Sequence, residues 1–143
     1  MYPQPMLTDI EFDRGNMILA LRDRGGDQIG YLNASNPNNS GQLWVGVSGG
    51  DILRACGSSP TWTLESNSRC GGTGNGPQNN GQGPGNGEFY YQDNYIPGGW
   101  HEEVALGAAM QVPGHNEMVA TMFEPAWMSG AGYLQVLFAG GFR

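Results

Sequence analysis

The residues best suited to chemistry form two acidic groups, and the first lies near the start of the chain. Asp9, Glu11 and Asp13 alternate along a predicted strand, so their side chains share one face. Like charges this close must be solvated, paired or bridged by a cation. One interpretation is a Ca²⁺ site completed by Asp23 or Asp27, because Ca²⁺ prefers hard oxygen ligands. The alternative is a solvated face whose carboxylates pair with the three nearby arginines, Arg14, Arg22 and Arg24.

The second acidic group surrounds a histidine after the middle of the chain. Glu88, Asp93, His101 and Glu102 contain the carboxylates and the base that a small carbohydrate-active enzyme or a metal-dependent hydrolase would use. The zinc-protease motif His-Glu-x-x-His is not completed, because position 105 is alanine. The alternative is a histidine at the end of a loop beside solvated acids.

Aromatic residues flank a long segment that contains no charge. Residues 71–87 consist almost entirely of Gly, Asn, Gln, Pro and Thr, which predicts a flexible surface loop. Tyr90, Tyr91, Tyr95 and Trp100 follow it, and rings in this position can stack against sugars. They are therefore candidate ligand-binding residues of a carbohydrate-binding module. Trp62, on an alternating strand, is expected to lie in the core.

The two cysteines and the charge balance bear on where the chain works and on its partners. Cys56 and Cys70 can form a disulfide in an oxidising compartment, or they are two separate buried thiols. Asn33-Ala34-Ser35 and Asn38-Asn39-Ser40 match the N-glycosylation motif. With no lysine, six arginines and a net charge of −7, the chain is a poor ligand for nucleic acid or an anionic membrane. An extracellular or cell-surface location is expected. The first residues lack the basic start and the apolar run of a signal peptide.

Elements recur along the chain in a way that predicts the fold. The motif Ser48-Gly49-Gly50-Asp51-Ile52-Leu53 has a counterpart that begins at Ser129, and each follows a strand–turn–strand pattern. A repeated β unit that cannot bury its own face is typical of propellers and solenoids. We expect one all-β antiparallel domain over 1–143, with about two propeller-like blades at 7–66 and 101–138 and the 71–87 loop inserted between them.

Several strings together resemble an internal, propeller-like region of large secreted bacterial surface proteins that carry SdrD B-like repeats. The strings are Pro3–Asp13, Met17–Gln28, Gly50–Cys56, Thr63–Asn67, Gly83–Tyr90 and His101–Gly107. The resemblance spans residues 3 to about 137. It implies a secreted, non-catalytic, adhesive or structural context. It also implies that the chain is part of a larger propeller.

These observations predict an extracellular structural or adhesive β-module. Two blades leave strand edges unpaired, so the module is expected to self-associate, or to dock to a partner or to the rest of a larger propeller, by edge pairing. Ca²⁺ is the one cofactor considered, and glycans are possible ligands. The alternatives are the small hydrolase and the non-catalytic carbohydrate-binding module.

Overall fold

The computed structural model describes residues 4–34, 41, 43–91, 105–113, 118–122 and 141–142. Within these residues the chain consists of antiparallel β-strands and one short helix, which confirms the predicted antiparallel all-β class. The strands are β1 (Pro5–Asp13), β2 (Asn16–Asp23), β3 (Asn33–Ala34), β4 (Leu43–Trp44), β5 (Ile52–Ser58), β6 (Thr61–Leu64), β7 (Arg69–Cys70), β8 (Thr73–Gly74), β9 (Ala105–Gln111), β10 (Met118–Met122) and β11 (Gly141–Phe142), and the helix is α1 (Arg24–Ile29).

The largest element is a four-stranded sheet in the order β1-β2-β5-β6. Its first hairpin turns through Arg14 and Gly15, with φ angles of 50° and 86°, and Asp13 pairs with Asn16 on either side. Two central residues with positive φ match the right-handed twist of the flanking strands, which explains the glycine at this position. This turn belongs to the strand–turn–strand pattern predicted before Ser48.

Strand β1 turns its carboxylates inward and its apolar side chains outward. A bulge between Leu7 and Asp9 shifts the alternation, so that Leu7 lies on the same face as Ile10 and Phe12. The side chain of Phe12 is 57% exposed, whereas that of Asp13 is 18% exposed. An alternating strand ordinarily buries its apolar side. Here the inward face of β1 meets polar partners, which the carboxylates can satisfy.

A second sheet, in the order β11-β10-β9, packs against the inner face of β1 and β2. Small side chains bring the two layers close together. Gly107 in β9 has a φ of 78°, and its carbonyl accepts a 2.6 Å hydrogen bond from the Thr8 hydroxyl. A Cβ on Gly107 would lie 2.2 Å from that hydroxyl, so only glycine fits. The core between the layers is made of Ile18, Ala20, Ile52, Ala105, Ala109, Met118 and Ala120.

The polar segment between residues 23 and 30 contains the helix α1. Asp23 caps its N-terminus by accepting a hydrogen bond from the Gly25 amide. Gly26 is buried against the 47–48 backbone, where a Cβ would lie 2.1 Å from the carbonyl oxygen of Val47. The cap and this close packing explain why a sequence with two glycines forms a helical turn.

The glycine- and asparagine-rich segment 71–87 lies on the surface, and its backbone is organised by many hydrogen bonds. The amide of Asn67 donates to Pro84, that of Ser68 donates to Gly87, and that of Asn75 donates back to Ser68. Strand β8 forms within it and pairs with β7. The segment therefore folds as a series of turns around Ser68, which is fully buried.

Propeller blades are not seen in the part of the chain that the structure describes. The described strands form a four-stranded sheet, a three-stranded sheet and two short pairs, with no closed arrangement of blades. Strands β1 and β2 pair as a hairpin, and so do β9 and β10, which matches the strand–turn–strand part of the predicted repeat. The second half of that repeat, from Ser129, lies outside the described residues.

Candidate functional site

Two of the carboxylates predicted as calcium ligands accept hydrogen bonds from the protein. Asp9 accepts hydrogen bonds from the amides of Ile10 at 2.9 Å and Ala109 at 3.0 Å. Asp13 accepts from the guanidinium of Arg54 at 2.8 Å. Such partners satisfy a carboxylate without a cation.

The remaining members of that predicted set lie apart from a common centre. Asp27 pairs with Arg22 at 2.7 Å, and this contact is the first reason why the pKa of Asp27 is lowered. Glu11 is half-buried and lies opposite Ile18. Over the described ranges no group of three or more His, Cys, Asp or Glu side chains is placed to hold a metal ion. Calcium binding stays a prediction.

Arg54 is the centre of a polar network on the inner face. Besides Asp13, it donates a 2.7 Å hydrogen bond to the hydroxyl of Tyr90, and its guanidinium lies 5.1 Å from the centre of the Phe89 ring. Burial raises the pKa of Tyr90, so its hydroxyl remains protonated. Tyr90 therefore links the segment after residue 87 to strand β5, and its ring packs against the core.

Glu65 also connects strand β5 to the segment after residue 87. Its carboxylate is buried, and it accepts hydrogen bonds from the backbone amides of Arg54 and Phe89. Burial, together with the negative charges of Asp51 and Glu88, raises the pKa of Glu65 to about 7 and outweighs the lowering effect of the two amide hydrogen bonds. Burial likewise raises the pKa of Asp51 to about 6.

These raised pKa values predict that the chain is more stable in mild acid. Between about pH 4 and 7 the folded state binds more protons at Asp51 and Glu65 than the unfolded state does. The free energy of unfolding is therefore highest near pH 4 to 5 and falls by a few kcal/mol, to order of magnitude, as the pH rises through 7. Thermal unfolding followed by circular dichroism at pH 5 and pH 8 measures this.

Glu65→Gln is the informative variant for this pH dependence. It removes one of the two titrating carboxylates, so the melting temperature should change less between pH 5 and pH 8 than in the wild type. Equal melting temperatures of the wild type at both pH values, or an unchanged difference in the variant, would show that Glu65 does not titrate as described.

The cysteines form a disulfide, which confirms the predicted pair. The Cys56–Cys70 bridge links β5 to β7 across a sequence separation of 14, and it packs against the ring of Phe89. The bridge, Glu65 and Arg54 thus all connect strand β5 to the segment around Phe89 and Tyr90. We call this group of contacts the structural centre.

The residues expected to carry catalysis or sugar binding are only partly described. Glu88 is 1% exposed and belongs to the buried carboxylate group. Tyr91 is half-buried and lies close to Gly76. The other members lie outside the described residues: Asp93, Tyr95, Trp100, His101 and Glu102. Hydrolysis and carbohydrate binding therefore stay predictions.

The face of the four-stranded sheet that points away from the core is apolar except at one end, where Asp23 pairs with Pro5. Cross-strand pairing places Ile10 beside Leu19 and Leu19 beside Leu53, so one apolar row crosses three strands. We call this surface the outer face. Its members are Leu7, Ile10, Phe12, Met17, Leu19, Leu21, Leu53, Ala55, Trp62 and Leu64.

Large side chains of the outer face are open to solvent at its margins. Leu7, Ile10 and Leu64 are 52%, 45% and 45% exposed. The ring of Phe12 lies 6.3 Å from that of Trp62, whose indole N–H donates to the carbonyl of Gly15 in the first turn. None of the ten side chains is charged. The centre of the face is closed, since Leu53 and Ala55 are buried. Exposed apolar side chains grouped in this way are typical of an interaction site.

The two edge strands of this sheet are less open. In β1 a bulge interrupts the ladder before Asp9, and the Asp9 carboxylate accepts a hydrogen bond from the amide of Ile10. At the other edge, β6 is only four residues long. Bulges, charged side chains and short length are the ways in which natural sheets discourage edge-to-edge pairing.

Sequence reasoning missed the outer face. It expected Trp62 in the core, but Trp62 is half-exposed and lies on this face. The signal was present in the alternation of Leu53 with Ala55 and of Trp62 with Leu64, because residues two apart on a strand share a face. The roles of Arg54 and Glu65 gave no signal of their own, since each depends on contacts distant in sequence.

Comparisons with known proteins find relatives but no described fold. No family model and no solved structure matches the chain. It is similar to Colossin-B of Dictyostelium discoideum, with 36% identity over 131 residues, and to Colossin-A of the same organism, with 34% identity over 129 residues. Each match covers 85% of this chain, but only 3% of Colossin-B and 1% of Colossin-A.

A third relative, Colossin-D, is 28% identical over 129 residues, which is 12% of its length. The chain thus spans a small part of each curated relative that it matches. The resemblance to bacterial proteins with SdrD B-like repeats was wrong, because these relatives are colossins of Dictyostelium. Within the described residues no helix is long and apolar enough to cross a membrane.

Proposed function

We propose that this chain is a non-catalytic, extracellular structural module whose copies associate through the outer face of the four-stranded sheet. The observation that carries the proposal is the exposed apolar surface around Leu7, Ile10, Phe12 and Leu64, which has no charged side chain. The cluster of Ile18, Ala20 and Ile52 lies on the other side of the same sheet, so the exposed side chains of the outer face are not part of it.

Two further observations support an extracellular module. The Cys56–Cys70 disulfide is the kind of bond that persists in oxidising compartments. The similarity covers most of this chain and a few per cent of Colossin-A and Colossin-B. A unit of this size within very long chains suits a building block better than a complete enzyme.

The outer face is a surface on which a second copy can approach without meeting like charges. The chain carries a net charge of −7, so two copies repel one another over most approaches. The carboxylates of β1 point to the inner side of the sheet, which leaves the outer face without charge. Two such faces can pack about 10 Å apart, as sheets do in a sandwich.

The size of the outer face indicates that this association is weak. Four strands about 4.8 Å apart, with about seven residues each at 3.4 Å, outline on the order of 450 Å². A standard specific interface buries about 800 Å² per partner. We therefore expect a dissociation constant of roughly 10 µM to 1 mM for isolated copies. Linked copies within one long chain would gain from effective concentration.

Edge pairing, which the sequence favoured, stays a prediction and is the less favoured route. The bulge and the Asp9 side chain obstruct β1, and β6 offers only a short edge. Association through the outer face leaves both edges as they are. Substitutions of outer-face side chains should weaken association through that face. They should affect edge pairing less, because edge pairing depends on backbone groups.

Sedimentation velocity of the wild type between 10 µM and 1 mM tests the proposal. A dimer fraction that increases with concentration, and increases further in ammonium sulfate, is expected of an apolar interface. The same result should persist in 1 M NaCl, because no ion pair is involved. A monomer at every concentration and in both salts would contradict the proposal.

A further inference from the structure

The segment 31–45 contains no charged residue and carries both N-glycosylation motifs of the sequence. The described part of this segment is unusually exposed for its composition. Tyr31 is 79% exposed, Leu43 is 59% exposed and Val45 is 52% exposed. An exposed apolar surface on a secreted protein needs a partner or a cover. Nothing in the proposed association through the outer face uses these side chains.

Asn33 is the acceptor of the first motif, and its place in the fold suits modification. It lies on the short strand β3, and its side chain is exposed. It pairs directly with Trp44 of β4, whose side chain is 44% exposed. Directly opposite residues of an antiparallel pair project on the same face with their Cβ atoms about 5 Å apart.

We propose that Asn33 is an N-glycosylation site and that the first sugar of its glycan covers the indole of Trp44. A pyranose has an apolar C–H face that can pack on an aromatic ring, and here the ring lies beside the acceptor. The motif is completed in the sequence by Ser35.

The transfer is a substitution at the anomeric carbon of a lipid-linked oligosaccharide diphosphate. The bond from Nδ2 of Asn33 to that carbon forms, and the bond from the carbon to the diphosphate oxygen breaks. The amide loses one proton to a base of the host transferase, and the lipid diphosphate leaves with the electron pair. No group is oxidised or reduced, and the host supplies the donor.

The inference rests on the extracellular placement in the proposed function, but not on association of copies. The relatives come from Dictyostelium discoideum, a eukaryote, whose secretory pathway is therefore the host in which to test it. The full chain is secreted from Dictyostelium cells behind a leader. Peptide mass spectrometry is then performed before and after peptide N-glycosidase treatment in ¹⁸O water, which marks each released site.

A marked Asn33 peptide in the wild type, lost in both Asn33→Gln and Ser35→Ala and retained in Asn38→Gln, is the expected result. The deglycosylated protein should also aggregate at a lower concentration than the glycosylated one. A secreted, disulfide-bonded protein with an unmodified Asn33 would overturn the inference and leave the proposed function standing. Protein retained in the cell with reduced cysteines would instead count against the extracellular placement on which both depend.

Discussion

Phe12→Glu is expected to raise the dissociation constant for association of copies by at least about tenfold, while the monomer stays folded. The Phe12 side chain is 57% exposed in one copy, so replacing it removes little from the core. In a face-to-face pair the new carboxylate would lose its water without gaining a partner, which costs several kcal/mol per buried ion. Sedimentation equilibrium gives the dissociation constant, and circular dichroism shows that the fold is retained.

Met110→Glu is the matched control for that experiment. Met110 is 53% exposed on β9, in the other sheet, so the control adds the same charge at a similar exposure elsewhere. It should leave the dissociation constant within about twofold of the wild type. Equal effects of the two variants would mean that net charge, rather than the outer face, governs association.

Removal of the disulfide is expected to lower the free energy of unfolding by about 3 kcal/mol. The bridge closes a loop with a sequence separation of 14, and a loop of that length restricts the unfolded chain by about this amount. The bridge also packs on Phe89, beside the hydrogen bonds that Glu65 makes. Urea unfolding of the Cys56→Ala/Cys70→Ala double variant, compared with the wild type, measures the loss.

A reducing agent supplies the control for the disulfide. It should destabilise the wild type by a similar amount and leave the double variant unchanged, since the variant has no bond to reduce. If the double variant and the wild type unfold at the same urea concentration, the bridge does not contribute to stability. The pH dependence through Glu65 would then be the remaining test of this centre.

The local features of the fold followed from the sequence because they depend on neighbours in the chain. Arg14 and Gly15 form the two-residue turn that glycine and alternating flanks indicate. Cys56 and Cys70 are the two cysteines of the chain, so a bond between them was one of two simple options. The antiparallel all-β class followed from short strands separated by many turn residues.

The features that decide the candidate site depend on contacts far apart in sequence. Asp9 bonds to Ala109, and Arg54 joins Asp13 to Tyr90. No periodicity of β1 alone shows that its acidic side faces inward, because that follows from what β9 presents to it. The bulge beside Thr8 moves Leu7 to the outer face. It likewise depends on a distant contact, because the Thr8 hydroxyl donates a hydrogen bond to the carbonyl of Gly107.

Methyl NMR over a concentration series tests most directly whether copies meet at the outer face. The methyl signals of Leu7, Ile10 and Leu64 should shift as the concentration rises. Those of Ile18 and Ile52, which are buried on the inner side of the same sheet, should stay fixed. Shifts confined to other parts of the molecule, or no shifts up to 1 mM, would show that copies do not associate through the outer face.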